Sequence, residues 1–265
     1  QFFSKLAVES RNVIQSNKFK RFLEVLCELQ RVDLQLLSHQ HLHERICFFL
    51  NIYNVLLLHG LLISSLISDC KIHGLATHSF YRRTCYQIAG FKFSLTDIRD
   101  GVLRNNKCYP NTFIPVFDSI DGVDPRLRFC IQPKDVRILF LLDKVDRLWN
   151  NSEYITIPGV NNEQQIDASA IYQSETIDQY QNVFSCLEPE KLEFTLQGET
   201  EDFCMHRILI DPRNRRIRLP SLFGVYCEDF GGSDMAVLQA CYHLMPPSSL
   251  LHTQLAELFE AKHTA

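Results

Sequence analysis

The stretch from about Leu42 to Ile67 constrains this chain more than any other, because it is apolar from Ile46 onward with few interruptions and carries no proline. It reads as one helix whose apolar part is long enough to span a bilayer. Asn51, Asn54 and His59 lie inside it, together with Gly60 and the Ser64-Ser65 pair. Three strongly polar side chains are costly in lipid, which favours a helix buried all round within a protein core over a transmembrane segment. Ser38 is the expected N-cap. A helix sealed on every side needs a thick shell. The 265 residues supply one, since a chain of this size buries roughly 70–75% of its unfolded surface without needing disulfides or a structural metal. With 46% hydrophobic and 22% charged residues the composition is globular rather than disordered. No repeat or low-complexity linker divides the sequence, so residues 1–265 read as a single domain.

Charge excludes one class of partner. Lys and Arg number 27 against 31 Asp and Glu, a formal net charge of -4, so no global basic field attracts nucleic acid. The groups at Arg82-Arg83 and at Arg213, Arg215, Arg216 and Arg218 read as solvated faces. Ten cysteines are scattered without a Cys-x-x-Cys, several inside apolar runs such as Ile46-Cys47-Phe48-Phe49. With no signal-peptide pattern at Gln1-Phe2-Phe3, a reducing, cytoplasmic compartment is expected. The missing initiator Met reads as the mark of a piece cut from a longer protein, so peripheral membrane association through a parent chain is left open.

Apolar positions at helical spacing, Phe3, Leu6, Val8 and Val13, then Phe22, Leu23, Leu26 and Leu29, predict two helices before Leu37. Cys85 to Ile88 and Phe91 to Phe93 around Ala89-Gly90 predict a hairpin. Ser94 with Asp97 approximates a capping box for a helix running to Arg104. Asn105 to Pro133 reads as a long ordered loop, and Arg137 to Leu142 as a buried strand. A loop from Gly159 to Gln165 and a helix from Ile166 to Phe184 follow. Ile208 to Ile210 and Ile217 to Leu219 predict a second hairpin around Asp211-Pro212-Arg213-Asn214. A helix through Phe223 and Tyr226, a break at Gly231-Gly232, and helices from Met235 to Leu244 and Leu250 to Phe259 complete the chain. The fold class is α+β, mostly helical, with a small antiparallel sheet.

Asn51 and Asn54 lie at i and i+3 on one helix face, with His59 a turn and a half further. A buried amide without partners costs about 1–3 kcal/mol, so these groups either pin neighbouring backbone, such as the Asn105 to Pro133 loop, or surround a ligand. Pinning is the commoner role. Cys70, His73, His78 and Cys85 are the best metal candidates, but their spacing matches no standard zinc module and no metal is assigned. Alternating His39, His41 and His43 read as solvent-facing. Gly231-Gly232 lacks the rest of a phosphate loop. No local signature pairs a Ser or Cys nucleophile with His.

Phe49-Leu50-Asn51-Ile52-Tyr53-Asn54-Val55-Leu56-Leu57-Leu58-His59 resembles the hallmark Phe-Trp-Ile-Asn-x-Tyr-Asn-Ala-Leu helix of the domain-of-unknown-function 547 family. Tyr86 to Gly90 with Phe93 to Ile98 and Val102-Leu103-Arg104 is similar to that family's next segment. Asp135 to Leu142 resembles its Asp-Pro-Arg-x-His-Phe-Ala-Leu strand. Ile217 to Phe223 with Tyr226, Asp229, Phe230 and Gly231 resembles its closing segment. The resemblance implies an α+β fold related to papain-like or transglutaminase-like domains, and intracellular signalling or membrane-proximal scaffolds, since family members stand alone or follow leucine-zipper, DEP or glutaredoxin segments. It also makes Asn51, Tyr53, Asn54, His59, Arg104 and Asp229 the candidate binding residues.

The departures weigh more than the matches. Many bacterial members carry His in that strand, then Asn-Cys-Gly and Ser-Cys-Pro segments. Here Leu139 stands at the His position, Leu142-Asp143-Lys144 replaces the first Cys segment, and Asn150 to Gly159 occupies the place of the second. A Leu can neither accept a proton nor orient a thiolate. The expectation is therefore a pseudoenzyme: a non-catalytic protein-interaction or scaffolding domain with a protein partner and no cofactor. The competing expectation is a papain-like cysteine-dependent hydrolase or acyltransferase that combines His59 and Asp229 with one of the scattered thiols.

Overall fold

A computed structural model of the chain describes residues 11–39, 41–67, 75–108, 112–118, 124–147, 154–156, 185–211 and 216–263. Contacts gather the chain into two units, Gln1–Lys134 with Leu187–Pro189, and Asp135–Cys186 with Glu190–Ala265. Residues 11–15, with Val13, are helical, whereas the Phe3, Leu6 and Val8 part of the first expected helix, the helix Ile166 to Phe184, the loop at Gly159 to Gln165 and the turn at Pro212 to Asn214 lie outside the described residues.

In the first unit the Ser16 hydroxyl accepts the Phe19 N–H at 3.1 Å and starts α1, Asn17–Glu28. Asp33 accepts the Gln35 N–H at 2.8 Å at the start of α2, Leu34–His39. Ser38 is thereby absorbed into α2 and is not the N-cap of the long helix. A carboxylate accepting the first N–H groups of a turn nucleates it, so the chain becomes helical four residues earlier than Ser38 promised. The long apolar run forms one helix, α3, Leu42–Ile67. It is buried along a stripe at Ile46, Phe49, Leu50, Tyr53 and Leu57, while Asn51, Asn54 and Val55 are half-buried and Leu58 is exposed. Burial all round is thus corrected to burial of one face, with period 3.6. By length and composition Leu42–Ser64 would also cross a bilayer.

After α4, Leu75–Arg83, strands β1, Cys85–Ile88, and β2, Phe91–Ser94, pair antiparallel with Ile88 opposite Phe91. The turn holds Ala89 at φ 48° and Gly90 at φ 85°. Two successive left-handed residues give the primed turn that matches strand twist, which Gly adopts freely and Ala only under strain. The capping box forms: Asp97 accepts the Ser94 N–H at 2.8 Å, and Ser94 accepts the Asp97 N–H at 3.1 Å. The segment it opens, Asp97–Leu103, is π-helical, and Ile98 to Leu103 are all buried. The described parts of the Asn105 to Pro133 loop are irregular apart from a 3-10 turn, Pro125–Phe129, capped by Asp124. Asn106 fixes the loop by donating to the Phe117 carbonyl at 3.0 Å and accepting the Phe117 N–H at 2.8 Å.

In the second unit the predicted strand from Arg137 to Leu142 is a helix, α5, Ile138–Arg147. The burial was foreseen and the period was not. A bare run of five apolar residues, Ile138 to Leu142, fits strand or helix equally. The helix continues beyond the apolar run to Arg147. Phe140 packs its ring 4.9 Å from Phe203 and 6.0 Å from both Phe223 and Phe230. Strand β3, Tyr154–Thr156, helix α6, Leu192–Arg207, and strands β4, Leu209–Asp211, and β5, Arg216–Pro220, follow. The sheet order is β3-β5-β4, all antiparallel, with Ile210 opposite Ile217 and Ile155 opposite Leu219. Helices α7, Ser221–Val225, α8, Asp234–Leu244, and α9, Leu250–His263, close the unit. The class is α+β and mostly helical, with two small antiparallel sheets where one was expected.

Candidate functional site

Asn51 donates to the Leu187 carbonyl at 3.0 Å and accepts the Leu187 N–H at 2.9 Å. It therefore pins backbone, though at Leu187 rather than at the Asn105 to Pro133 loop. Tyr53, on the opposite side of the helix, is fully buried. Asn54 is half-buried and has no hydrogen-bond partner among the described residues.

His59 sits among aromatic rings. Phe19 and Phe22 meet it edge-on with centroids at 5.6 and 5.4 Å, and its Nδ1 lies 2.9 Å from the Tyr86 hydroxyl. Burial lowers the His59 pKa and raises that of Tyr86. At neutral pH the phenol therefore keeps its proton and the imidazole is uncharged, the tautomer deciding which of the two donates. The linkage has a definite sign. Because the folded pKa is depressed, below about pH 6.5 the unfolded chain binds a proton that the folded chain resists, so stability falls as pH drops through that value. Urea midpoints at about pH 5.5 and 7.5 should differ more for the native chain than for His59→Gln, in which this titration is gone.

Arg104 is held inside the unit. Its Nη1 donates to Asp100 at 2.6 Å and to the Cys108 carbonyl at 3.3 Å. Arg99 grips the same carboxylate, with Nε 3.2 Å from Oδ1 and Nη2 3.0 Å from Oδ2, while its guanidinium lies 4.9 Å from the Tyr81 ring centroid. Asp100 is wholly inaccessible and both arginines are buried. Sequence reasoning named Arg104 and missed its two partners. The i, i+4 spacing of Asp100 and Arg104 was the available signal.

A cleft of about 950 Å³ opens between the β1-β2 hairpin, the Thr112–Asp118 segment and the Asp124–Arg126 turn. Arg126 organises it. Its guanidinium is 2.7 Å from Asp124, 3.5 Å from Asp97 and 2.7 Å from the Lys92 carbonyl, and lies 4.4 Å from the Phe117 ring centroid. The hydrogen-bonded Arg126 side chain holds the Asp124 carboxyl below the usual carboxylate range. Gly101 is required beneath, because a Cβ there would meet the Phe117 ring at 2.4 Å.

Asp229 is buried in the 3-10 turn Cys227–Phe230 and belongs to the second unit, whereas the other five candidates belong to the first. Leu139 is 3% exposed in α5. The described cysteines are all free thiols. Burial pushes Cys130 up to about 11, and its thiol donates to the Gly101 carbonyl at 3.3 Å. Burial also raises Cys227, with Asp234 and Glu228 adding to it, and Cys241 is raised through its hydrogen bond with Cys204. Among the described residues no three His, Cys, Asp or Glu side chains gather as metal ligands. Cys70 and His73 lie outside those residues, so the four-ligand candidate is not assembled by what is described.

The family model described as "Protein of unknown function, DUF547" matches residues 37–169. That span contains Asn51, Tyr53, Asn54, His59, Arg104, the whole cleft and Leu139, but not Asp229. No curated protein and no solved structure matches the chain.

Proposed function

The chain belongs to the DUF547 family, and from that premise we propose that it is a non-catalytic member acting as a protein-interaction or scaffolding domain. The resemblance carries the proposal: it sets Leu139 where many bacterial relatives keep an imidazole, and that side chain is buried within a helix. A hydrocarbon there can neither take a proton nor activate a nucleophile.

Other polar groups support the same conclusion. The Asn51 amide is spent on Leu187 backbone, and Asp100 and Arg104 are spent on each other. Where burial or hydrogen bonding displaces a thiol's ionisation, it does so upward, away from the thiolate that attacks a carbonyl. Free thiols throughout the described residues fit a protein that works in a reducing compartment.

Iodoacetamide at neutral pH, followed by peptide mass spectrometry, tests this. Exposed Cys27 and Cys186 should be modified in the folded chain, and Cys47, Cys130, Cys204 and Cys241 should react only on unfolding. One thiol modified far faster than the rest would restore the cysteine-dependent hydrolase as the better account.

A further inference from the structure

We propose that His59 is a pH-sensitive latch that holds helix α1 onto the first unit, so that mild acid releases the helix and uncovers the aromatic residues beneath it. Release of α1 is independent of whether the chain turns a substrate over.

The helix is lightly held. Within Asn17–Glu28 only Phe19 is buried, while Leu23 is 40% and Val25 60% exposed. The Phe19 and Phe22 rings stand 5.6 Å apart, and both pack on His59 with centroids 5.6 and 5.4 Å from the imidazole. Just beyond the helix, the Leu29 carbonyl accepts the Ala89 N–H at 2.9 Å and ties the chain to the β1-β2 hairpin. The C-terminal end of α1 is therefore a tether and its aromatic pair is the catch. An element with so few buried apolar contacts opens by itself long before the core does.

Among the described residues no charge faces His59 to compensate an imidazolium. On α1, Lys18, Lys20, Arg21, Glu24 and Glu28 are all exposed. On β1 the facing group is Tyr86, whose hydroxyl is 2.9 Å from Nδ1 and whose ring centroid is 5.9 Å from the imidazole. On α3 itself the positions one turn away, Val55, Leu56, Leu62 and Ile63, are apolar. Beside the adjacent Gly60 stand Thr84 and Phe80, both uncharged. An imidazolium carries a proton on each nitrogen, so the Tyr86 hydroxyl would have to accept and turn its own proton elsewhere.

The sign of the coupling follows from the cover. Two of the three rings packed on His59 among the described residues belong to α1. Docked, the imidazole resists protonation because burial disfavours its charged form. With α1 released it is an ordinary histidine that titrates near pH 6.5. Below about pH 6.5 the released state therefore binds a proton that the docked state resists, and one proton shifts the balance toward release by at most about tenfold per pH unit. Release exposes the Phe19 and Phe22 rings together with the face they cover, so new apolar surface appears only in acid.

Hydrogen-deuterium exchange of the full chain, read by peptide mass spectrometry at about pH 7.5 and 5.5 and divided by intrinsic amide rates, tests the latch. Peptides within residues 17–28 should be less protected than peptides from α3 at both pH values, the mark of local opening. Their protection should fall several-fold in acid, with about tenfold as the ceiling for one proton. In His59→Gln and His59→Asn, which carry a neutral amide at both pH values, that fall should vanish. His43→Gln, at an exposed position of the same helix, should keep it. Protection of α1 that is equal to that of α3, unchanged between the two pH values or greater in acid would overturn the proposal without any variant. The same fall persisting in either His59 variant would overturn it as well.

Discussion

Replacing Asp100 with Asn should destabilise the first unit by about 3–5 kcal/mol, the usual result of removing one partner from a buried ion pair. The carboxylate is fully inaccessible and accepts from Arg99 on one side and Arg104 on the other. The amide keeps the shape and removes the charge. Two desolvated cations then lie near each other, with hydrogen bonds to a neutral group in place of charge-assisted ones. The segment is also π-helical and packed through Gly101 onto Phe117, so it has little room to relax. Urea unfolding gives the number from a shifted midpoint at constant slope. A loss below about 1 kcal/mol would mean that the triad contributes no more than a surface pair.

Tyr53→Ala should cost a similar amount, about 3–5 kcal/mol, because the ring is buried completely and its removal leaves a cavity that a helix cannot collapse to fill. Tyr53 shares the inner stripe of α3 with Phe49, whose ring meets Phe93 at 5.8 Å and Phe129 at 6.2 Å. Helix, hairpin and 3-10 turn therefore converge on this stripe. Tyr53→Phe, which removes only the hydroxyl, should cost about 0.5–1.5 kcal/mol. A large gap between the two variants marks Tyr53 as a packing residue. If Ala were tolerated like Phe, the hallmark tyrosine would have a role other than filling the core.

What the sequence disclosed depended on how local the causes were. The Ala89-Gly90 turn and the Ser94-Asp97 box are decided by groups within four residues of each other, and both appear where expected. The helix at Leu42–Ile67 was equally legible, since nothing in it stops a helix once begun. Its start at Leu42 was legible too, but its N-cap was not, because the Asp33 carboxylate caps the preceding turn and Ser38 falls within α2. Arg137 to Leu142 carried hydrophobicity without a period, so its burial could be read and its helical geometry could not. Asp100 carries no motif that marks it as buried. Its burial depends on Phe117 and Tyr81, which sequence reasoning had not linked to it. The cleft was invisible for the same reason: three separated segments build it, and the side chain joining them, Arg126, lies in a stretch with no motif at all.

Turnover tests the central claim most directly. The purified full chain should be offered an activated ester, an anilide and an aryl thioester, beside His59→Gln and single Cys→Ser variants. On the proposed non-catalytic reading, the chain should release product no faster than the variants or the heat-denatured protein. Release well above that background, lost on changing one cysteine or histidine, would contradict the account.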